Sequence, residues 1–357
     1  MVWTWPTEIE LLRELVAIPS VSGAEETIGQ FVERRAREWG LTVERTDDGV
    51  VVRVVGGRPG PTLAFISHLD TVPEGEGWTR PAFEPTIEGT LLYGRGSGDA
   101  KASVAAMLTA ARDLAAGSGA MGGQLLVLLG YGEETRDTSM PRLLQRTGPI
   151  DGAVVGEPTN LDVAIAQRGI MMVDLVARGD QRHAGYAGDG RFTSAVTMLA
   201  RDLIRLETLF GDRVHPVLGV TTATATMLEA GVSRNVTPPT ARAVLDIRST
   251  PSWTHEELTH ALRQRLECEP VITSSRLVPC QTPAGSRVLA VAKAVRPETR
   301  SYGSPTCSDW VFVRETDAIK CGPGTSRESH TPDEHVDLSE VTQAREFYHA
   351  LAREYLQ

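Results

Sequence analysis

Two runs constrain the fold more than anything else in the chain: Gln124-Leu125-Leu126-Val127-Leu128-Leu129 and Gly152-Ala153-Val154-Val155. A strand with one face in water alternates apolar and polar side chains, so runs this continuously apolar read as strands covered on both faces. Helices have to do the covering, and helical signals do alternate with strand signals along the N-terminal half. Two helices are expected before Gly40, each opened by a capping-box pattern, Thr7-x-x-Glu10 and Ser22-x-x-Glu25. In the second, Ile28, Phe31, Val32 and Trp39 recur at helical spacing. Strands follow over Leu41 to Thr46, Val50 to Val55 and Thr62 to Ile66, the first two joined by an Asp47-Asp48-Gly49 turn. Ala100 to Ala115 reads as a helix, and a short segment, Pro141 to Gln145, separates the two apolar runs. Strands and helices in alternation point to an α/β layer with a largely parallel sheet.

From Gln167 the rhythm changes. A strand (Ile170 to Ala177), a helix (Phe192 to Phe210), two strands (Leu218 to Leu228, Ala241 to Arg248), a helix (His255 to Glu267) and a strand near Val271 to Arg276 form a βαββαβ series, the order of a ferredoxin-like unit. Helices over Ser286 to Val295 and Leu338 to Tyr355 then resume the first pattern. The expected organisation is a discontinuous domain, residues 1–166 and 277–357, with a second domain, 167–276, inserted into it. No internal repeat or low-complexity segment interrupts this scheme.

Composition removes several classes of function. The 357 residues carry 36 Lys+Arg against 46 Asp+Glu, a formal net charge of −10, and no basic stripe offsets it, which argues against nucleic acid as a partner. No apolar run reaches the ~18 residues of a membrane span. Met1 to Pro6 lacks the basic and apolar regions of a signal peptide, so a cytoplasmic location is expected. Cys268, Cys280, Cys307 and Cys321 show no CxxC spacing and are expected to be reduced thiols rather than zinc ligands or a disulfide framework.

Acidic residues and histidines gather at the predicted strand ends, where open α/β sheets place their ligand crevices. These are Ser67-His68-Leu69-Asp70, Gly94-Arg95-Gly96-Ser97-Gly98-Asp99, Gly130-Tyr131-Gly132-Glu133-Glu134, Gly156-Glu157-Pro158-Thr159 and Ser329-His330-Thr331-Pro332. Each alone is ordinary solvated surface. Together they supply the imidazoles and hard oxygen ligands of a hydrolytic metal site, in which two ions often lie ~3.5 to 4 Å apart and share a carboxylate. Surface carboxylates and core-satisfied histidines remain the alternative at this level. Other catalytic signatures fail: Gly94-x-Gly96 and Gly130-x-Gly132 lack a dinucleotide fingerprint's third glycine, Ser97 sits in no G-x-S-x-G elbow, and there is no P-loop or HExxH.

In combination, His68-Leu69-Asp70-Thr71-Val72-Pro73, Tyr93-Gly94-Arg95-Gly96 with Asp99-Ala100-Lys101, Glu133-Glu134, Gly156-Glu157-Pro158-Thr159 and Ser329-His330-Thr331-Pro332-Asp333-Glu334 resemble the M20 family of co-catalytic metallopeptidases and amidohydrolases over nearly the whole chain. The resemblance implies two divalent metal ions, Zn2+ foremost with Co2+ or Mn2+ as alternatives. It implies that His68 and Glu157 complete one metal site, Glu134 and His330 the other, and that Asp99 bridges. Asp70 would orient His68 and Glu133 would be the general base. In the inserted domain, which the resemblance makes a dimerisation lid, Gly179-Asp180-Gln181-Arg182-His183-Ala184 places His183 as an oxyanion stabiliser reaching a neighbouring subunit. Asn235 and Arg248 resemble substrate-binding residues, the guanidinium being suited to bidentate capture of a carboxylate, and Gly324 is expected to line the pocket with backbone groups. Two departures stand out: Gly185-Tyr186-Ala187-Gly188 runs where relatives often have a proline, and Ala102 follows Lys101 where many have glycine.

The expected activity is hydrolysis of the amide bond of a small N-acyl amino acid by a homodimer. The motifs Gly156-Glu157-Pro158-Thr159 and Ala166-Gln167-Arg168-Gly169 favour an acetylornithine deacetylase, with a carrier-linked lysine or ornithine hydrolase or an N-acetylcitrulline deacetylase close behind. A succinyl-diaminopimelate desuccinylase, or a dipeptidase or carboxypeptidase of the same family, is the alternative. A non-catalytic binder of amino-acid derivatives is disfavoured, because every metal ligand and Glu133 are present.

Overall fold

The structure, a computed structural model, describes residues 5–135, 139–187 and 192–357. It divides into two compact units, Met1–Ile165 with Thr282–Tyr302 and Ser308–Gln357, and Ala166–Gln281 with Gly303–Cys307.

The first unit is built on the apolar runs. Gly122–Gly130 and Gly152–Val155 are strands whose buried positions leave almost no polar alternation. In the sheet the order is Thr42–Thr46, Gly49–Val55, Gly122–Gly130, Arg58–His68, Gly152–Val155, Asp317–Lys320, Val163–Gln167. The central strands from Gly122–Gly130 to Asp317–Lys320 run parallel, and antiparallel pairs flank them on both sides. In this register His68 lies opposite Gly130, so the ends that carry His68 and the Glu133–Glu134 turn emerge together. Helix Lys101–Ala115 is buried along almost its full length and packs against Thr7–Val16 and Leu338–Tyr355. Phe65 on the His68 strand is fully buried, its ring 5.2 Å from that of Tyr348. Among the described residues no helix is long and apolar enough to cross a membrane.

The second unit has a four-stranded antiparallel sheet in the order Thr222–Ala230, Thr240–Ser249, Gly169–Arg178, Glu269–Leu277, with helices Ala195–Leu206 and His255–Arg265 as its crossovers. This is the βαββαβ arrangement read from the sequence. It has its own core, in which Met171, Val173, Leu175 and Ala177 alternate along one strand and meet Leu199, Leu258 and Leu262 of the helices. Residues 277–281 and 303–307 group with this unit: Cys280 pairs with Gln167, and the Arg168 N–H donates to the Ser304 carbonyl at 3.1 Å.

Several local expectations need correcting. Neither predicted capping box forms. The first helix, Thr7–Val16, starts at Thr7 itself behind Pro6, and the second, Glu26–Glu38, starts after Glu25 without a side-chain cap, because Ser22 and Glu25 are bonded elsewhere, as described below. The one capping box observed among the described residues joins Thr254 and Glu257. The run Leu218 to Leu228 is two strands, Gly219–Val220 pairing with Val214–His215 and Thr222–Ala230 pairing with Thr240–Ser249. The helix expected from Phe192 begins at Ala195, where Ser194 accepts the Thr197 N–H, and ends at Leu206. Short strands at Val163–Gln167, Asp317–Lys320 and in a small Thr86–Glu88, Leu91–Tyr93, His335–Asp337 sheet were not anticipated. Gly188 lies outside the described residues.

Truncating Phe65 to Ala removes a buried ring from the sheet–helix interface and is expected to cost ~3–5 kcal/mol of unfolding free energy; urea denaturation followed by tryptophan fluorescence and circular dichroism checks this, and a loss under ~1 kcal/mol would contradict the packing described.

Candidate metal centre

Four sequence-predicted residues meet in one cluster, His68 and Glu134 at the ends of neighbouring parallel strands and Asp99 and His330 from loops. Ligand atoms of His68, Asp99 and Glu134 all lie within 4.8 Å of one another. His68 Nε2 is 3.2 Å from Asp99 Oδ1, while His330 Nε2 is 2.9 Å from Glu134 Oε1 and 3.8 Å from Asp99 Oδ2. Asp99 therefore presents one oxygen to each imidazole. His330 has φ +65° and Asp333 φ +55°, the left-handed region that side chains rarely adopt outside constrained loops. The loop is anchored by Asp333, which accepts the Thr79 N–H at 3.0 Å and the Thr79 hydroxyl at 2.8 Å.

Asp70 and Glu334, both fully buried, hold the ligand-bearing loops. Asp70 accepts the Glu133 N–H at 3.1 Å on Oδ1 and the Glu134 N–H at 3.0 Å on Oδ2. Its Oδ1 also lies 3.3 Å from His68 Nδ1, which is 3.0 Å from the Asp70 carbonyl. Glu334 Oε1 accepts the Gly98 and Asp99 N–H groups at 3.0 and 3.1 Å, and its Oε2 receives Arg95 at 2.6 Å. Arg95 also donates to the carbonyls of Glu74 and Thr331. Sequence reasoning quoted Arg95 and Glu334 only as motif letters and gave them no task.

The electrostatics fit a cation site. Burial pushes the Glu157 carboxyl up to about 8, with Asp99 and Glu134 adding repulsion against the opposing pull of His68 and Lys320. Burial likewise drives Glu133 well above the usual carboxylate range, with Glu157, Asp309 and Glu134 adding to it. Asp99 is buried too, but its bond to His68 holds it below that range. His68 is buried, yet its bonds to Asp70 and Asp99 raise it well above an ordinary imidazole. Carboxylates concentrated out of water around two imidazoles form a donor set of hard oxygen and nitrogen that divalent cations satisfy.

The remaining predicted residues fall elsewhere. Gly324 is in the first unit, where its N–H donates to Glu340 of helix Leu338–Tyr355 at 2.7 Å and its carbonyl accepts the Asn160 N–H at 2.6 Å. His183, Asn235 and Arg248 belong to the second unit. His183 forms a bridge with Val236, and the Ala184 N–H donates to the Asn235 carbonyl at 2.8 Å, which puts the histidine and the asparagine side by side. Arg248 is half-buried and pairs with Asp246 through Nε at 2.8 Å.

Replacing Glu334 with Ala leaves the Arg95 guanidinium buried without its carboxylate, at a cost of ~3–5 kcal/mol; thermal denaturation measures it, and restoring stability by replacing both residues with apolar ones separates the ion pair from packing.

Comparison with known proteins agrees with this geometry. A model of peptidase family M20/M25/M40 matches residues 64–354. A succinyl-diaminopimelate desuccinylase of Alkalilimnicola ehrlichii is 30% identical, covering 98% of this chain and 99% of its own length, and that of Phenylobacterium zucineum is 28% identical over 97% and 98%. In fold, the chain is similar to the aminopeptidase PepT of Bacillus cereus, with a TM-score of 0.82 at 20% identity and 98% of both chains covered. A Bacillus subtilis protein described as a dinuclear metal binding peptidase of the M20 family gives a TM-score of 0.76 at 16% identity, over 98% and 97% of the two chains. By the extent of the family match and of these relatives, the chain belongs to peptidase family M20/M25/M40 and is a metal-dependent hydrolase of the amidohydrolase and peptidase kind.

Proposed function

We propose that the chain hydrolyses the amide bond of a small N-acyl amino acid, with N-succinyl-diaminopimelate first among substrates and N-acetylornithine second. The observation that carries the hydrolytic reading is the meeting of His68, Asp99, Glu134 and His330 from four separate segments, with Glu133 on the same turn as Glu134. The curated relatives named above favour the succinyl substrate. The acetylornithine reading rests on Gly156-Glu157-Pro158-Thr159, Ala166-Gln167-Arg168-Gly169 and the short length of the chain; of these, Arg168 donates to the carbonyls of Leu218, Val220 and Arg248 at 2.6 to 3.0 Å. A guanidinium engaged in this way holds loops together and gives no information about a substrate.

In this reading His68 and Glu157 would hold one divalent cation and Glu134 and His330 the other, with Asp99 shared between them. The chemistry supplied by two bound divalent cations, Zn2+ first among them, is polarisation of the scissile carbonyl and acidification of the attacking water. Glu133 takes the proton from that water on its carboxylate and returns it to the nitrogen of the leaving amine. Asp70 keeps the His68 ring in one orientation. Arg248 and Asn235 bind the carboxylate end of the substrate, Gly324 shapes the loop beside Gly98, and His183, supplied by a second copy of the chain, stabilises the oxyanion. Homodimerisation through the second unit is supported by its edge strand Thr222–Ala230, exposed along nearly its whole length with Met227 and Leu228 outward, an arrangement soluble proteins seldom leave bare.

Glu133→Gln is expected to lower kcat by ~10²–10⁴-fold while metal analysis still finds two ions per chain; activity within tenfold of the parent would place the base elsewhere. A metal-loaded preparation assayed against N-succinyl-diaminopimelate, N-acetylornithine, N-acetylcitrulline and dipeptides is expected to turn over the succinyl substrate with the highest kcat/KM. No turnover of any of them sinks the reading.

A further inference from the structure

The Glu133–Glu134 turn is held from outside the ligand cluster. Three successive backbone N–H groups each go to a buried carboxylate: Gly132 to Glu25 Oε1 at 3.1 Å, Glu133 to Asp70 Oδ1 at 3.1 Å and Glu134 to Asp70 Oδ2 at 3.0 Å. Gly132 begins the turn at φ +70°, a conformation that suits glycine.

Asp70 Oδ2 has a further donor, the Ser22 hydroxyl, at 2.6 Å. That length is typical of a hydroxyl donating to an ionised carboxylate, among the stronger bonds in proteins. Backbone pairing brings Ser22 there. The Thr71 N–H donates to the Ser20 carbonyl at 2.9 Å, the Ser22 N–H to the Thr71 carbonyl at 3.2 Å, and the Ser20 hydroxyl to the Leu69 carbonyl at 2.8 Å, with Val21 and Thr71 bridged in parallel. Residues 20–22 are thus laced along 69–71 by bonds that do not involve the Ser22 side chain. Ser22 and Glu25 carry the letters of a helix cap, yet neither caps the helix Glu26–Glu38 that follows.

We infer that Ser22 and Glu25 are positioning residues for the two adjacent glutamates. Ser22 fixes the Asp70 carboxylate in the orientation that meets His68 and both glutamate amides at once, and Glu25 fixes the glycine that starts the turn. A rotation of Asp70 would displace ligands on two different strands together, His68 at the end of Arg58–His68 and Glu134 beyond Gly122–Gly130. The inference rests on the reading of the cluster as a metal centre, and its role is exerted through Asp70 and Gly132 rather than by contact with substrate.

The test compares the parent with Ser22→Ala, Ser22→Thr, Glu25→Ala and Glu25→Gln. Zn2+ affinity is measured in metal-stripped protein by competition with a chromophoric chelator, amide hydrogen exchange is followed at residues 132–134, and melting temperature is recorded. Ser22→Ala is expected to fold, because the backbone lacing survives, with a melting temperature lowered by the loss of one bond to a buried charge, to bind Zn2+ roughly 10-fold more weakly, and to lose protection at Glu133 and Glu134. Ser22→Thr restores both. Glu25→Ala loses protection at Gly132, and Glu25→Gln, which keeps an acceptor, retains it. If the parent binds Zn2+ and Ser22→Ala binds it equally well with unchanged exchange, the inference is overturned while the metal centre stands. If the parent takes up no Zn2+, the metal reading fails, and the exchange data still decide whether the turn depends on Ser22. Should Ser22→Ala not fold, the Glu25→Ala and Glu25→Gln pair decides: equal Zn2+ affinity and equal Gly132 protection in the two would overturn it.

Discussion

The site depends on one buried carboxylate, Asp70. A charge taken out of water is costly unless hydrogen bonds replace the water it loses, and here the replacements are the amides of Glu133 and Glu134, the Ser22 hydroxyl and the His68 ring. Burial alone would raise Asp70, but the bonds from His68, Ser22 and the Glu134 backbone lower it below the ordinary carboxylate range, so it stays ionised. The partners come from three segments. The need to satisfy one charge therefore assembles the end of one strand, the turn after another and the approach to a helix.

Glu334 repeats the device on the other side of the cluster. It accepts the amides of Gly98 and Asp99 as Asp70 accepts those of Glu133 and Glu134, and Arg95 neutralises it. In both places a dipeptide carrying a ligand is gripped by its backbone, which leaves the ligand's own carboxylate for the cluster. Buried ion pairs add little net stability compared with apolar packing; what this pair does hold is the backbone of Gly98 and Asp99, with the Asp99 carboxylate between the two histidines.

Much of this was legible in the sequence for identifiable reasons. The runs around Leu126 and Val154 admit only strands covered on both faces, and strands of that kind put their C-terminal ends at a crevice, which is where His68 and the Glu133–Glu134 turn lie; Asp99 and His330 stand in loops away from the strand ends, and the task of each came from the family resemblance alone. The helices Lys101–Ala115 and Leu338–Tyr355 came within a residue of their expected bounds because their apolar spacing is long and regular. What escaped were choices made by tertiary competition. Ser22 and Glu25 read as a cap because the local pattern is the same, and only the arrival of Asp70 and Gly132 from far along the chain redirects them. Arg95 and Glu334 are 239 positions apart, beyond any local signal. Asp317–Lys320 is too short to stand out and is recruited by its parallel neighbour Gly152–Val155.

The paired grip on the ligand loops also bears on entropy. Small zinc modules fold around their ion, so their affinity for it is reduced by the ordering of the chain. Here the amides of residues 98, 99, 133 and 134 are tied by protein carboxylates, and the loops are ordered by the same event that forms the sheet. On the reading proposed above, a cation arriving at this centre would meet ligands already in place, and its binding energy would go into polarising what it touches.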